Sequence, residues 1–475
     1  MSSHPANHIS FGTDGIRGII ARDFTYDLVR KTAQGLADYI AYKYMRTEKP
    51  AVVVGFDRRF MSDRFARTMA EVLAANGLHV TLSAVPLPTP AVSLLTSKEV
   101  LKDKAFGIGV VITASHNNHY YNGIKIKQDG RSAPPAVTAE IENYVAKAVP
   151  MKPSGAPVPV KDFGQDYLNY LLAKGPAAKQ LAKLKGAVVV DFMHGAGAEN
   201  AEKLFGAKNV VRLREKHDPM FGGVAPEPVE KNLAPLLEAV KKHKALFGAA
   251  LDGDADRFAL VSDKGQYLTP CQTGPLLLEY LISKGFTGKV VQAVSMGYLT
   301  KRIAKAANLP FEEIPVGFKY IAEKMLQEPV CFGVEESGGY TWKGNLPERD
   351  GALTALLVAE IVLKTGKPVS ALLADLEKKY GRSCFVRRDF HLPKAIPNKH
   401  SFAVKIKKKL PKVLLGRKVA ETNTIDGLKI ILDNDWWVLM RPSGTEPLLR
   451  TYAETDSQEN TKKFLDLAFK LTEAK

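Results

Sequence analysis

The sequence predicts an α/β fold: three successive α/β units with mixed, mostly parallel sheets, followed by a smaller α+β unit. Three observations carry this. Short apolar runs alternate with helical patterns through the first three-quarters of the 475 residues, which is the signature of layered α/β architecture. The alternation restarts three times. The last hundred residues then change character. A chain this long exceeds what one core supports, so several domains are expected.

In the first unit the strand-like runs are AVVVGF at 51–56, HVTLSAV at 79–85 and FGIGVVI at 106–112. A helical pattern covers Tyr26 to Tyr44. A second helix starts with Ser62 as N-cap, runs through DRFARTMAEVLAAN and stops at Gly77. The Pro/Gly-rich stretch 149–164 reads as a linker. GAVVVDF at 186–192, NVVRLR at 209–214 and LFGAAL at 246–251 open the second unit. KVVQAV at 289–294, FEEIPV at 311–316 and PVCFGV at 329–334 open the third, with helices near 273–284 and 351–364. RRDFHL, DGLKIIL and WWVLMR are the strands of the last unit, closed by a helix whose apolar face includes Phe464, Leu465 and Phe469. The boundaries expected are 1–150, 151–261, 262–375 and 376–475.

Composition excludes several classes. Hydrophobic residues at 45% and charged residues at 25% are those of a globular chain. No apolar run is long enough to span a bilayer, and the N-terminus carries no export pattern. Cys271, Cys331 and Cys384 have no metal-ligand spacing and read as reduced core thiols of a cytoplasmic protein. The net charge of +17 fits either nucleic acid or small anionic substrates. No nucleic-acid motif accompanies it, so the second reading leads.

Four loops carry candidate chemistry. The first is VITASHNNHYYNGIKIK at 111–127, where a core strand empties into polar groups. Ser115 here suits an exposed, rigidly held nucleophile, with His116 or Lys125 as its partner. Asn122-Gly123 reads as a turn that folds Lys125 back toward it. Taken alone, Ser115 is better explained by a plain Asx or Ser/Thr turn. The second is LDGDADRFALV at 251–261. Asp252, Asp254 and Asp256 stand at alternate positions, which an extended segment would place on one side. Three such carboxylates repel unless a cation sits among them, and a hard divalent ion suits them. Arg257 in the sixth place and Asp263 in the twelfth exclude an EF-hand. The third is GVEESGGY at 333–340, whose paired glutamates suit sugar hydroxyls. The fourth is MRPSGTEPLLR at 440–450, where Arg441, Ser443, Gly444 and Thr445 make an anion cradle. A smaller fifth piece, FGTDGIRG at 11–18, holds Arg17 between glycines.

These motifs, in this order, resemble those of the α-D-phosphohexomutase family along essentially the whole chain. The resemblance implies three similar α/β domains plus a C-terminal α+β domain around a central cleft. It implies a phosphoryl group carried by Ser115, with Ser115, Asp252, Asp254 and Asp256 ligating Mg²⁺. It assigns Arg17, Lys125 and Arg257 to the phosphoserine site, with Lys125 or His116 moving protons. Glu335 and Ser337 would hold sugar hydroxyls. Arg441, Ser443, Gly444, Thr445 and Arg450 would clamp the distant phosphate, and Lys319 in GFKY would touch a phosphate too. Glu336 after Glu335 is similar to the glucose-preferring branch. The expected reaction is therefore glucose 1-phosphate to glucose 6-phosphate, with glucose 1,6-bisphosphate as activator. A phosphomannomutase or dual-specificity mutase is the main alternative. Phosphoglucosamine mutase and glucose 1,6-bisphosphate synthase stand behind it, and a basic nucleic-acid-binding protein further still. Expected partners are sugar phosphates, not nucleic acid or membrane, for a monomer or homodimer. Asn118, Val334 and Asn345 depart from the family's usual proline, glycine and histidine.

Overall fold

The apolar run at 51–56 becomes the strand Val52–Phe56, buried at every position, because both of its faces are covered as in any central strand of a parallel sheet. The computed structural model describes residues 11–12, 15–149, 155, 157–443 and 446–473. It is a four-domain α/β architecture with mixed sheets, divided into two compact units.

Unit 1 comprises residues 1–267, 325–327 and 338–369 and holds two sheets. In the first, Val52–Phe56 pairs in parallel with Val80–Ser83 and Ile108–Ile112. Tyr121–Gln128 then runs antiparallel to Ile108–Ile112, and Ile16–Ile19 antiparallel to Tyr121–Gln128. The helices Tyr26–Lys43 and Ser62–Ala75 pack their apolar faces into its core, with Phe24 edge-on to Phe65 at 4.9 Å. In the second sheet Val188–Asp191 pairs in parallel with Val210–Leu213 and Phe247–Leu251, and Phe258–Ser262 returns antiparallel. The helix Gly351–Thr365, capped by Asp350, also belongs to this unit.

Unit 2 comprises residues 268–324, 328–337 and 370–475. Its parallel strands Phe311–Ile314, Lys289–Ala293 and Val330–Glu335 pair in that order. Its second sheet is antiparallel, ordered Cys384–His391, Leu448–Thr455, Trp437–Pro442, Leu428–Leu432, Arg417–Asn423 and Val413–Leu414. The helix Gln458–Glu473 closes the chain.

Several local expectations are corrected. Ser62 is the first helical residue rather than the cap, which falls on Met61 at φ 61°. The Ser62 hydroxyl donates to Asp57 at 2.7 Å instead of capping its own helix. Asn122-Gly123 is no turn: it lies inside the strand Tyr121–Gln128. Glycine is required there because a Cβ would meet the carbonyls of Ile16 and Thr113 at 2.3 and 2.6 Å. The end of the proposed linker adds Val160–Lys161 to the first sheet, beside Val80–Ser83; residues 150–154 and 156 lie outside the described residues, apart from Gly155 between them. Cys271 and Cys331 are buried, whereas Cys384 is partly exposed.

Candidate active site

The first site forms at the carboxyl ends of strands in unit 1, where open α/β sheets bind ligands. Ser115 follows Ile108–Ile112 by three residues and adopts φ 53°, a left-handed conformation costly for a residue with a side chain. The surroundings explain how it is held. Its amide donates to the Thr113 hydroxyl at 2.9 Å, and Thr113 donates to Asp57 at 2.6 Å. Arg59, fully buried beside Asp57, donates to the carbonyls of Ser115 and Asn117 at 2.6 Å each. It also reaches the carbonyls of Asn118 at 2.9 Å and Tyr121 at 3.1 Å. One planar guanidinium thus fixes four carbonyls of the loop, which a lysine could not do. Ser115 is 1% exposed, against the expectation of an exposed serine, because its hydroxyl donates to Asp252 Oδ2 at 2.9 Å.

His116 Nδ1 lies 3.2 Å from the Ser115 hydroxyl. Burial, then the charges of Arg257, Arg17, Lys125 and Arg59, hold this imidazole well below its usual range. It is therefore neutral at pH 7. Arg17, on Ile16–Ile19, donates to Asn117 at 2.6 Å.

The three aspartates meet as expected but by another route. They sit in a tight turn between Phe247–Leu251 and Phe258–Ser262, with Ala255 at φ 57°, and not along a pleated strand. All three are buried, and one carboxylate oxygen from each lies within 4.8 Å of the others. Lys125 reaches this turn through strand pairing, opposite Val111, rather than through a hairpin. Its ammonium donates to Asp254 Oδ2 at 2.8 Å and Asp256 Oδ2 at 3.1 Å. Thr89 donates to Asp254 Oδ2 at 2.5 Å and Arg349 to Asp256 Oδ2 at 2.6 Å. Among the described residues Asp256 Oδ1 is buried without a hydrogen-bond partner, a state that costs free energy unless a cation meets it. Burial, then Asp254 and Asp256, push the Asp252 carboxyl well above its usual range. Hard oxygen donors, a missing partner and mutual repulsion together fit a divalent metal such as Mg²⁺. Arg257 stands next in the chain, 3.9 Å from Glu227, with its Nε buried and without a hydrogen-bond partner among the described residues.

A second cluster forms within unit 2. Glu335, at the end of Val330–Glu335, accepts from the Gly317 amide at 2.8 Å, with the Ser337 hydroxyl 3.4 Å away. Glu336 accepts a hydrogen bond from Ser295. Lys319 lies in the first turn of Phe318–Gln327, 5.4 Å from the Tyr320 ring. Arg441 belongs to the strand Trp437–Pro442, not to the loop after it, and donates its Nε to Asp426 at 2.7 Å. Ser443 is buried and accepts from the Glu446 amide at 3.2 Å. Arg450 sits opposite Arg441 in the sheet and reaches Glu446 at 3.4 Å. Gly444 and Thr445, like Thr13 and Asp14, lie outside the described residues.

Asp57, Arg59, Thr89, Arg349 and Asp426 escaped the sequence reading. The available signals were the charged run DRR directly after the core strand Val52–Phe56 and the charged stretch PERDG around Arg349.

Comparison with known proteins gives a consistent picture. Four phosphoglucomutase/phosphomannomutase models match: α/β/α domain I at residues 8–150, domain II at 165–265, domain III at 269–380 and the C-terminal domain at 401–470. A phosphoglucomutase/phosphomannomutase of Thermococcus kodakarensis is 31% identical, covering 98% of both chains. A phosphoglucosamine mutase of Carboxydothermus hydrogenoformans is 30% identical over 96% of this chain and 97% of its own. Among solved structures, a Thermus thermophilus protein described as a phosphomannomutase superposes with TM-score 0.84 at 32% identity, covering 98% of this chain and 99% of its own. An Aspergillus fumigatus N-acetylphosphoglucosamine mutase, solved with GlcNAc-6P and magnesium, shares the fold at TM-score 0.57 and 16% identity, covering 99% of this chain and 96% of its own.

Proposed function

Because the chain belongs to the α-D-phosphohexomutase family, whose members are phosphotransferase isomerases, we propose that it interconverts glucose 1-phosphate and glucose 6-phosphate through a phosphoserine at Ser115. The observation that carries this is the Ser115 hydroxyl seated 2.9 Å from a buried aspartate triad of metal-binding type. A nucleophile placed there can hold a phosphoryl group whose charge the neighbouring Arg17, Lys125 and Arg257 neutralise.

The site would hold Mg²⁺ through Asp252, Asp254, Asp256 and an oxygen of the phosphoserine. Bound there, the ion would supply charge neutralisation to the transferring group. The residues of the chain do the rest. The Arg59 frame aligns Ser115 with the incoming sugar hydroxyl. In the forward step the bond from phosphorus to Ser115 Oγ breaks as the bond to that hydroxyl oxygen forms. Its proton passes to the neutral His116 imidazole, while Lys125, already an ammonium, can only give a proton back in the reverse sense. The product is glucose 1,6-bisphosphate, which also serves as activator. Its other phosphate then returns to Ser115 in the reverse sense, after the sugar has turned end for end. Arg441, Ser443, Gly444, Thr445, Arg450 and Lys319 therefore have to accept either phosphate in turn, while Glu335 and Ser337 hold sugar hydroxyls. We assign these roles to domains bounded at 150, 261 and 375 in a cytoplasmic enzyme.

Glucose preference rests on Glu335-Glu336. Relatives named phosphoglucosamine mutase make glucosamine 1-phosphate the necessary competitor, beside mannose 1-phosphate. Initial rates on the three 1-phosphates, with Mg²⁺ and a trace of glucose 1,6-bisphosphate, test the reading. A serine-dependent rate highest on glucose 1-phosphate supports it. A higher rate on mannose or glucosamine 1-phosphate keeps the mutase and discards the glucose assignment. No isomerisation of any of them overturns the mutase.

A further inference from the structure

Asp426 gathers groups from three separate elements of unit 2. Its Oδ2 accepts from Arg441 Nε at 2.7 Å and from the Val316 amide at 3.2 Å, and its Oδ1 accepts from Lys399 Nζ at 2.6 Å. The carboxylate is 8% exposed. Burial opposes its ionisation, but Arg441 and Lys399 hold it below the usual range, so it is charged. One negative charge thus answers two cations.

The positions of these cations matter. Arg441 is tethered by Nε alone, so its terminal nitrogens have no hydrogen-bond partner among the described residues and remain available for a phosphate fork. Lys399 opens the helix Lys399–Lys408, where Asn398 is the cap. The helix dipole disfavours a cation at that end, so the helix itself gives no reason for a lysine there. Its side chain is 33% exposed, enough to leave Asp426 for an arriving anion. No Asp or Glu lies between Asp389 and Glu421, whereas lysines recur throughout that interval, so the local field attracts anions. The third group links two subsites. Val316 precedes Gly317, whose amide holds Glu335. Asp426 therefore sets the phosphate-gripping guanidinium and the sugar-gripping loop in one register.

We propose that Lys399 is a further phosphate-binding residue of the cradle and that Asp426 is the positioning residue that sets Arg441, Lys399 and the Val316-Gly317 turn for the sugar phosphate. This rests on the phosphohexomutase reading above.

The test combines steady-state kinetics on the preferred sugar phosphate with calorimetric titration of inorganic phosphate. The variants are Lys399→Met, Lys399→Arg, Asp426→Asn and Arg441→Gln, with thermal melts to verify folding. A charge-assisted hydrogen bond is worth about tenfold or more in affinity. Lys399→Met should therefore raise KM and weaken phosphate binding about tenfold, with kcat within about threefold, and Lys399→Arg should recover most of the loss. Asp426→Asn should raise KM by a larger factor than it lowers kcat. Lys399→Met matching wild type while Arg441→Gln loses phosphate overturns this inference alone. If Arg441→Gln also matches wild type, the cradle assignment itself falls, and the role of Lys399 with it.

Discussion

Gly253 passes so close to Ser115 that a Cβ at this position would stand 2.4 Å from the Ser115 carbonyl oxygen. The metal-type turn and the nucleophile loop are therefore packed backbone to backbone. Gly253→Ala must push them apart, and displacements of this size typically cost about a hundredfold in rate. The expected result is a kcat lowered about a hundredfold with a modest change in melting temperature, read from kinetics and a thermal melt.

Arg59 is the mechanical support of the same loop. Arg59→Ala leaves Asp57 buried without its partner and four carbonyls without a donor. Breaking such a buried pair costs roughly 3–5 kcal/mol. Urea denaturation of the variant should show that loss, and the remaining folded fraction should turn over slowly.

Asp256 Oδ1 is buried with no hydrogen-bond partner among the described residues. Asp256→Asn should weaken Mn²⁺ or Mg²⁺ binding at least about tenfold in calorimetry. Unchanged metal affinity would remove Asp256 from the ligand set.

The sequence made much of this legible, for specific reasons. Val52–Phe56 and Phe247–Leu251 are apolar throughout because they are covered on both faces, so they stand out locally. The aspartates announced themselves by spacing, although a turn at Ala255, not a pleat, brings them together. Arg59 and Arg349 were invisible because their partners, Ser115 and Asp256, lie 56 and 93 residues away in the chain. Local pattern carries no information about which carbonyl or carboxylate a distant arginine will meet. Lys125 shows the same limit: its destination is legible in the sequence, but the strand pairing that delivers it looks locally like an Asn-Gly turn.

Asp350 supplies a pH signature. Burial holds its carboxyl up at about 7, although the Leu353 amide and the Tyr167 hydroxyl both donate to it at 2.9 Å. Its ordinary value is 3.8. Below that value both folded and unfolded chains are protonated and the group is neutral to stability. As pH rises toward 7 the unfolded chain ionises first, so stability falls across this window, by a few kcal/mol at most. Asp350→Asn should flatten the decline in urea midpoint between about pH 4 and pH 7. An unchanged slope would assign the decline to other groups.

The most direct test of the central claim is transfer of labelled phosphate from glucose 1,6-bisphosphate to the protein. The wild-type chain should become labelled on the peptide containing Ser115, and glucose 1-phosphate or glucose 6-phosphate should remove the label. Ser115→Ala should take up none. Label that appears on another residue, or that persists in Ser115→Ala, would contradict the phosphoserine mechanism.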